Sequence, residues 1–149
     1  MNNSEFLRVE PLSAKSKGKG IISKAARHNK REIQAELGAG SHIDTERMHL
    51  NYNLHGPRSA AEVAERASER MKVMGITPRA NAVLGLEAVF SLARTTQIDL
   101  RAYFTDCVRW AADYFGGWQN ILSADVHLDE GAPHCHVLIL PILEGRLRG

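Results

Sequence analysis

The stretch ILSADVHLDEGAPHCHVLIL, residues 121–140, alternates apolar and polar side chains on both sides of a short polar segment. Ile121 to Leu128 predicts one strand, and His134 to Leu140 predicts a second. The segment between them contains Gly131 and Pro133, which favour a hairpin loop. The stretch therefore predicts two neighbouring antiparallel strands.

The same alternation places the histidines of this stretch on one face of the hairpin. In the first strand, His127 lies opposite an apolar face made of Leu122, Ala124, Val126 and Leu128. In the second, His134 and His136 lie opposite Cys135, Val137 and Ile139. Closing the hairpin sets His127 across from the other two histidines, with Asp129 and Glu130 in the loop. Imidazoles with a nearby carboxylate are typical ligands of a divalent cation.

A simpler interpretation of the histidines is hydrogen bonding without a metal. Any one of them, taken alone, is more often a polar strand residue than a ligand. Three in register beside an Asp-Glu pair favour a metal site over coincidence, although the pattern specifies neither the metal nor the reaction.

Length and composition predict one domain, residues 1–149, of the ordinary globular kind. No apolar run approaches the roughly 20 residues of a membrane span, and MNNSEFLRVE lacks the features of a secretory signal. We therefore expect a cytoplasmic protein without a membrane segment. Cys107 and Cys135 are expected to be buried small hydrophobes rather than a disulfide pair.

The formal net charge of +2 is unevenly distributed. Residues 1–31 contain eight basic and two acidic side chains, whereas the remainder is mildly acidic. A basic segment of this kind favours contact with a polyanion, with nucleic acid as the first choice. A solvated tail explains Lys15 to Lys19 equally well.

The rest of the chain supplies further strands and helices. We predict strands over Glu5 to Leu12 and Ala82 to Leu92, the latter with one apolar face of Leu84, Leu86, Ala88, Phe90 and Leu92. We predict helices over Ile21 to Leu37, over residues 60–73, and over a stripe from Leu100 to Phe115 that Gly116 and Gly117 close. Ser41 to Ser59 reads as a loop with a short extended core. The fold class is then α+β, an antiparallel β-sheet with helices packed on one face and the histidine site on the other.

Two other segments contain reactive groups, RHNKR at residues 27–31 and HLNYNL at residues 49–54. Phosphoryl transfer needs a cation, basic side chains that hold the phosphate, and a positioned nucleophile. The histidine hairpin, Arg31, and either His28 or Tyr52 fill these three roles. No Walker A loop or GxGxxG is present, so nucleotide-cofactor functions have no support.

In this order and spacing, RHNKR, HLNYNL and VHLDEGAPHCH resemble the signature of the MobV-type (Mob/Pre) plasmid mobilisation and recombination relaxases. The resemblance runs from near the N-terminus to the final PILEGRLRG and includes AVLGLEAVFSL. It implies an HUH-like endonuclease that nicks and rejoins one DNA strand at a plasmid transfer origin and stays bound to the 5′ phosphate. Its partner would be single-stranded or supercoiled plasmid DNA.

The resemblance also implies roles for individual residues. His127, His134 and His136 would bind Mn²⁺ or Mg²⁺, with Glu130 as a further ligand or acid/base group. His28 would be the nucleophile, with Tyr52 as second choice, and Arg31 would contact the phosphate. The residues expected to contact DNA are Lys24, Arg27, Lys30 and Asn51.

Relaxases of this kind continue well past the third motif, whereas this chain ends at Gly149. The expectation is a catalytic domain without its C-terminal part, and a homodimer only if that part exists. One alternative is a non-catalytic DNA-binding remnant. Another is an unrelated metallohydrolase, which leaves the basic N-terminal segment unexplained.

Overall fold

The computed structural model describes residues 6–13, 20–32, 43–80, 82–93 and 97–148. Its helices and strands follow in chain order: β1 (Phe6–Ser13), α1 (Ile21–Asn29), a first 3₁₀ helix (Thr45–Leu50), β2 (Tyr52–His55), α2 (Ala60–Val73), β3 (Val83–Ser91), α3 (Leu100–Tyr114), a second 3₁₀ helix (Trp118–Asn120), β4 (Ile121–His127), β5 (His134–Ile139), and the short strands β6 (Ile142–Leu143) and β7 (Arg146–Leu147).

The five longer strands form one sheet in the order β1-β3-β5-β4-β2, and every neighbouring pair is antiparallel. The predicted hairpin is confirmed as β4 and β5, with His127 paired to His134 and Asp125 paired to His136. Because paired residues on neighbouring strands point to the same face, this register brings the histidines together. The predicted α+β class with an antiparallel sheet is confirmed.

One face of the sheet packs against α3. This helix begins after Asp99, whose side chain accepts a hydrogen bond from the backbone N–H of Ala102, and it ends before Gly116 and Gly117, which have positive φ angles of 101° and 119°. Its buried stripe is Phe104, Cys107, Val108, Ala111 and Ala112, and the strands contribute Leu86, Ala88, Phe90, Ala124, Val126, Cys135, Val137 and Ile139. The predicted apolar face of the second hairpin strand is thus confirmed.

The opposite face carries both the histidines and the other two helices. The second core joins α1 and α2 to this face through Ile22, Ala26, Ala60, Val63, Ala67, Leu122, Leu138 and Leu140. Helices therefore cover both faces of the sheet, and the expectation that they lie on one face only is corrected. The histidine face carries α1 and α2 because Leu138 and Leu140 follow His136 at period two and supply an apolar surface at the far end of β5.

Two strand residues lie on the face opposite to the one that simple alternation predicts. Leu84 and Leu122 both belong to the core under α1 and α2, not to the α3 core. The pairing of β3 with β1 shifts at Leu12/Ser13, and the pairing of β4 with β5 shifts at Ile121/Ser123. An irregularity of this kind inserts a residue and turns the following side chains to the other face.

Helix α1 ends at Asn29, earlier than the predicted end at Leu37. Arg31 has a φ of 59°, in the left-handed region that residues other than glycine rarely adopt. The helix is therefore interrupted within the RHNKR motif, at Lys30 and Arg31, and Glu32 is helical again. Residues 33–37 lie outside the described part of the chain, as do Lys15 to Lys19.

Cys107 and Cys135 are both buried, as predicted, and they are not joined in a disulfide. Among the described residues, no helix has the length and apolar character needed to cross a membrane.

Candidate active site

The rings of His127, His134 and His136 form a compact cluster on the histidine face. Their centroids are 5.2 Å apart for His127 and His134, 4.5 Å for His127 and His136, and 4.9 Å for His134 and His136. One ligand nitrogen from each ring lies within 4.8 Å of the other two. The structure therefore brings the three predicted metal ligands to one point.

Each ring of the cluster has one nitrogen bonded to a carbonyl or carboxylate oxygen. Of the other nitrogens, Nδ1 of His127 lies 3.3 Å from Nη2 of Arg31, and Nε2 of His134 lies 3.3 Å from Oε1 of Glu130. The oxygen-bonded nitrogens are Nε2 of His127 on the carbonyl of Asn29 (2.7 Å), Nδ1 of His134 on the carbonyl of Ala132 (2.8 Å), and Nδ1 of His136 on the carboxylate of Glu87 (3.1 Å). Such bonds fix the ring orientation and the tautomer of metal-binding histidines. The donor set therefore fits a divalent cation.

Burial favours the uncharged form of two of the three rings, His127 and His134. Burial and the nearby charges of His136 and Arg31 lower the pKa of His127 to about 2. Burial and His136 also lower the pKa of His134. A neutral imidazole is the form that binds a metal.

Glu130 lies beside the cluster, as predicted. Its Oε1 is 3.3 Å from Nε2 of His134 and 3.7 Å from Nδ1 of His127. The same oxygen accepts a hydrogen bond of 2.7 Å from Nη2 of Arg31. Glu130 is thus close enough to the ligand nitrogens for the predicted ligand or acid/base role, but it shares its oxygen with a guanidinium.

Arg31 is buried and forms a two-pronged ion pair with Asp129. Its Nε donates to Oδ2 (2.8 Å) and its Nη2 to Oδ1 (2.7 Å), while the carboxylate is fully buried. Nη1 is buried and has no hydrogen-bond partner among the described residues. Burial alone would raise the pKa of Asp129, but the bonds from Arg31 and Asn51 hold it below its ordinary value. The side chain of Arg31 is 6% exposed, so the protein itself already covers most of it.

Asn51 completes the packing around Asp129. Its Nδ2 donates to Oδ2 of Asp129 (2.8 Å), and its Oδ1 accepts from the backbone N–H of Leu128 (2.7 Å). The side chain predicted to contact DNA therefore holds the β4–β5 loop to the start of β2.

His28, the predicted nucleophile, lies at the edge of the cluster. Its ring centroid is 6.4 Å from that of His136, and the side chain is half-buried. Burial, with the charges of Arg31 and His136, lowers its pKa. The last turn of α1 thus brings a neutral imidazole next to the three histidines.

Tyr52, the second choice, lies on the other side of the sheet. It pairs with Val126 and packs against the α3 core, and the guanidinium of Arg101 lies 4.9 Å above its ring. Burial raises the pKa of its phenol, so the weakly nucleophilic protonated form dominates. Both its position and its protonation favour His28 for the covalent role.

The basic residues on and directly after α1 differ in their surroundings. Nζ of Lys30, which follows the last residue of the helix, lies 3.2 Å from both carboxylate oxygens of Asp125, and both side chains are buried. On the helix itself, Lys24 is exposed and Arg27 is half-buried. Of these three residues predicted to contact DNA, Lys30 is thus already held by a carboxylate.

A cleft of about 450 Å³ lies along the β2 edge of the sheet, next to Lys30 and Arg31. It is lined by Lys30, Arg31, Asn51, Tyr52, Asn53, Arg58, Arg101 and Asp125, among others. Arg58 and Arg101 are exposed cations that the sequence interpretation did not single out. Neither residue lies in one of the three motifs, so only the folded chain places them here.

Glu87 also lies at the site and was not predicted from the sequence, although the strand pattern pointed to it. It is the one charged residue of the apolar strand VLGLEAVFS, and alternation puts it on the face opposite Leu86 and Ala88. The strand pattern therefore predicts that the Glu87 carboxylate lies on the histidine face.

Comparisons with known proteins agree with this geometry. The model of the plasmid recombination enzyme family matches residues 1–148. The chain belongs to this family. Among its relatives, a plasmid recombination enzyme of Bacillus sp is 33% identical over 129 residues, or 82% of this chain, and one of Streptococcus agalactiae is 28% identical over 136 residues, or 86% of this chain. The match covers about 30% of the Bacillus relative's length and 27% of the other's, so this chain spans under a third of each.

Solved structures of the same family share the fold. The MobM relaxase domain bound to plasmid oriT DNA, in a Mn-bound crystal structure, superimposes with a TM-score of 0.82 at 25% identity. The match covers 97% of this chain and 74% of that one. The resemblance to MobV-type relaxases is therefore confirmed.

Proposed function

We propose that this chain nicks and rejoins one strand of plasmid DNA at a transfer origin, through a covalent bond between His28 and the 5′ phosphate. The observation that carries the proposal is the position of the His28 ring, 6.4 Å from His136 and beside three converging histidines. Membership of the plasmid recombination enzyme family supports it. The MobM relaxase domain, bound to plasmid oriT DNA and Mn, supports the substrate and metal.

The proposed metal ligands are His127, His134 and His136, with Glu130 as a further ligand. We propose Mn²⁺ or Mg²⁺, because Mn is present in the related relaxase structures and both ions suit phosphate chemistry. When bound, such an ion neutralises charge on the non-bridging oxygens of the phosphate. The chain's own contribution is a set of three rings whose orientations are fixed by bonds to Asn29, Ala132 and Glu87.

The nucleophile acts as a neutral imidazole. A lone pair of His28 attacks phosphorus, a P–N bond forms, and the P–O3′ bond breaks. The departing 3′ oxygen takes up a proton and becomes a hydroxyl, and the imidazolium loses its ring proton. Attack of that 3′ hydroxyl on phosphorus reverses the step, releases His28 and rejoins the strand.

DNA would approach along the β2 edge. The exposed Arg58 and Arg101 line the cleft there, and Lys24 and Arg27 lie on α1, which ends at the nucleophile. Contacts of these side chains to phosphates would make binding fall with added salt. Nη1 of Arg31, buried and without a hydrogen bond among the described residues, is the nitrogen left for the predicted phosphate contact.

A second candidate function is DNA binding without turnover. It is favoured by the guanidinium of Arg31, whose Nη2 lies 2.7 Å from Glu130 and 3.3 Å from Nδ1 of His127. A cation already held there competes with a metal for the same ligands. Catalysis then depends on whether the metal displaces that guanidinium contact.

Supercoiled plasmid carrying the cognate transfer origin separates the two functions. With Mn²⁺, an active relaxase converts it to the open-circular form and leaves protein on the DNA. Binding of the origin with no open-circular product under Mn²⁺ or Mg²⁺ would instead support the second function.

A further inference from the structure

We infer that Asn29 and Glu87 form a hydrogen-bonded link that fixes His28 relative to the three clustered histidines. Both are then positioning residues, because neither is placed to touch the reacting atoms. The inference rests on the proposed function for the role of His28, but the link itself is a feature of the folded chain.

Glu87 joins the sheet to α1 through one oxygen. Its Oε2 accepts from Nδ1 of His136 (3.1 Å) and from Nδ2 of Asn29 (2.9 Å). The side chain is 17% exposed. A carboxylate therefore lies between a metal-binding ring and the end of the helix.

Asn29 makes a second connection to the cluster. It is the last residue of α1 and is 2% exposed. Its backbone carbonyl accepts the N–H of His127 Nε2 at 2.7 Å. Asn29 thus holds His127 directly and His136 through Glu87. His28 is the preceding residue, so these bonds hold the backbone next to it in place.

The orientation of the Asn29 amide is part of the link. If the amide were turned over, its oxygen would face the oxygen of Glu87, and two acceptors would meet. In the observed orientation, Oδ1 is buried and has no hydrogen-bond partner in the described part of the chain. An unpaired buried acceptor costs free energy. The amide keeps this orientation despite that cost because its Nδ2 donates to Glu87.

Substitutions at Glu87 separate charge from geometry. Both of its bonds use the same oxygen, so Glu87→Gln can keep both and lose only the charge, whereas Glu87→Ala loses both. Removing a carboxylate that orients a metal-binding histidine costs roughly 10–100-fold in metal affinity. We expect a loss of that size in Mn²⁺ affinity for Glu87→Ala and a smaller one for Glu87→Gln, measured by calorimetry.

Glu10→Gln is the matched control. Glu10 pairs directly with Glu87 across β1 and β3, but it is exposed and bonded to Arg8. The Glu10→Gln substitution removes a carboxylate charge from the residue paired with Glu87 on the adjacent strand. It should leave Mn²⁺ affinity unchanged. An equal loss in Glu10→Gln would overturn the specific role of Glu87.

The position of His28 can be followed without any reaction. A trace of Mn²⁺ relaxes the ring protons of His28 with an inverse-sixth-power dependence on distance. We expect weaker relaxation, at equal metal occupancy, in both Asn29→Ala and Glu87→Ala, and no further change in the double variant because the two residues act as one link. Unchanged relaxation, or effects that multiply in the double variant, would contradict the link.

The rate of covalent adduct formation at saturating Mn²⁺ then connects the link to the chemistry. A misplaced nucleophile lowers this rate on the order of 100-fold without loss of DNA affinity. If the wild-type protein forms no adduct, the proposed function fails, while metal affinity and His28 relaxation still decide whether the link exists.

Discussion

The ring of His28 lies 6.4 Å from that of His136, with the two planes at 71°. A helix end establishes this relationship, because α1 stops one residue after His28 and Asn29 bonds to the histidine cluster. The helix that carries the proposed nucleophile is therefore joined at its end, through the Asn29 carbonyl, to one of the histidines that would bind the metal.

The rate of adduct formation should depend on the protonation of His28. Its lowered pKa means that the neutral, nucleophilic form dominates at pH 7. With Mn²⁺ kept saturating, the single-turnover rate should be nearly flat from pH 8 to 6.5 and fall below that. A rate that already falls between pH 8 and 7 would point to a group with a higher pKa.

The metal-free protein should lose stability in mild acid. The pKa of His127 is about 2 in the folded chain and near 6.5 when unfolded, so the unfolded state binds more protons between these values. Unfolding free energy is then retained above pH 6.5 and falls below it, by up to about 1.4 kcal/mol per pH unit for this group. Urea titrations in chelator from pH 7.5 to 5 measure the slope, and a His127→Gln variant should flatten it.

Asp129→Asn should destabilise the fold strongly. The carboxylate is fully buried against Arg31, and breaking one side of a buried pair costs about 3–5 kcal/mol. Asp106→Asn is the control, because Asp106 forms a 2.7 Å ion pair with Arg109 on the exposed face of α3 and should cost less than about 1 kcal/mol. Similar losses in the two variants, measured in urea, would show that the buried pair has no special weight.

Metal binding should raise the melting temperature through the histidine cluster. A ligand at 100 times its dissociation constant stabilises the folded state by about 2.7 kcal/mol. Thermal scans with and without Mn²⁺ should show an increase in the wild type that is absent in His134→Ala. His49→Ala, at an exposed position on the first 3₁₀ helix, should keep it. An increase that survives in His134→Ala would place the metal elsewhere.

The hairpin and its histidine cluster were predictable because side-chain alternation is a local property. His134 and His136 share a face of β5 whatever the rest of the chain does, and their pairing with β4 follows from the short loop. The loop also contains Asp129 and Glu130, so the acidic partner of the cluster was visible as well.

Other features arise only from pairing over long distances. Leu84 and Leu122 change face because the strand registers shift beside them, and the alternation of a single strand carries no sign of that shift. The pairing of Arg31 with Asp129 joins residues 98 positions apart. It needs the left-handed backbone at Arg31, which no helix propensity predicts. For the same reason, the contacts of Arg31 with Asp129 and Glu130 could not be predicted from the sequence.

The residue to which DNA becomes attached decides whether His28 or Tyr52 is the nucleophile. Wild-type protein, His28→Ala and Tyr52→Phe are each incubated with Mn²⁺ and an oligonucleotide spanning the nick site, and the covalent adduct is digested and sequenced by mass spectrometry. If His28 is the nucleophile, we expect a phosphoramidate on His28 in the wild type and in Tyr52→Phe, and no adduct in His28→Ala. An adduct that persists in His28→Ala and maps to Tyr52 would contradict it.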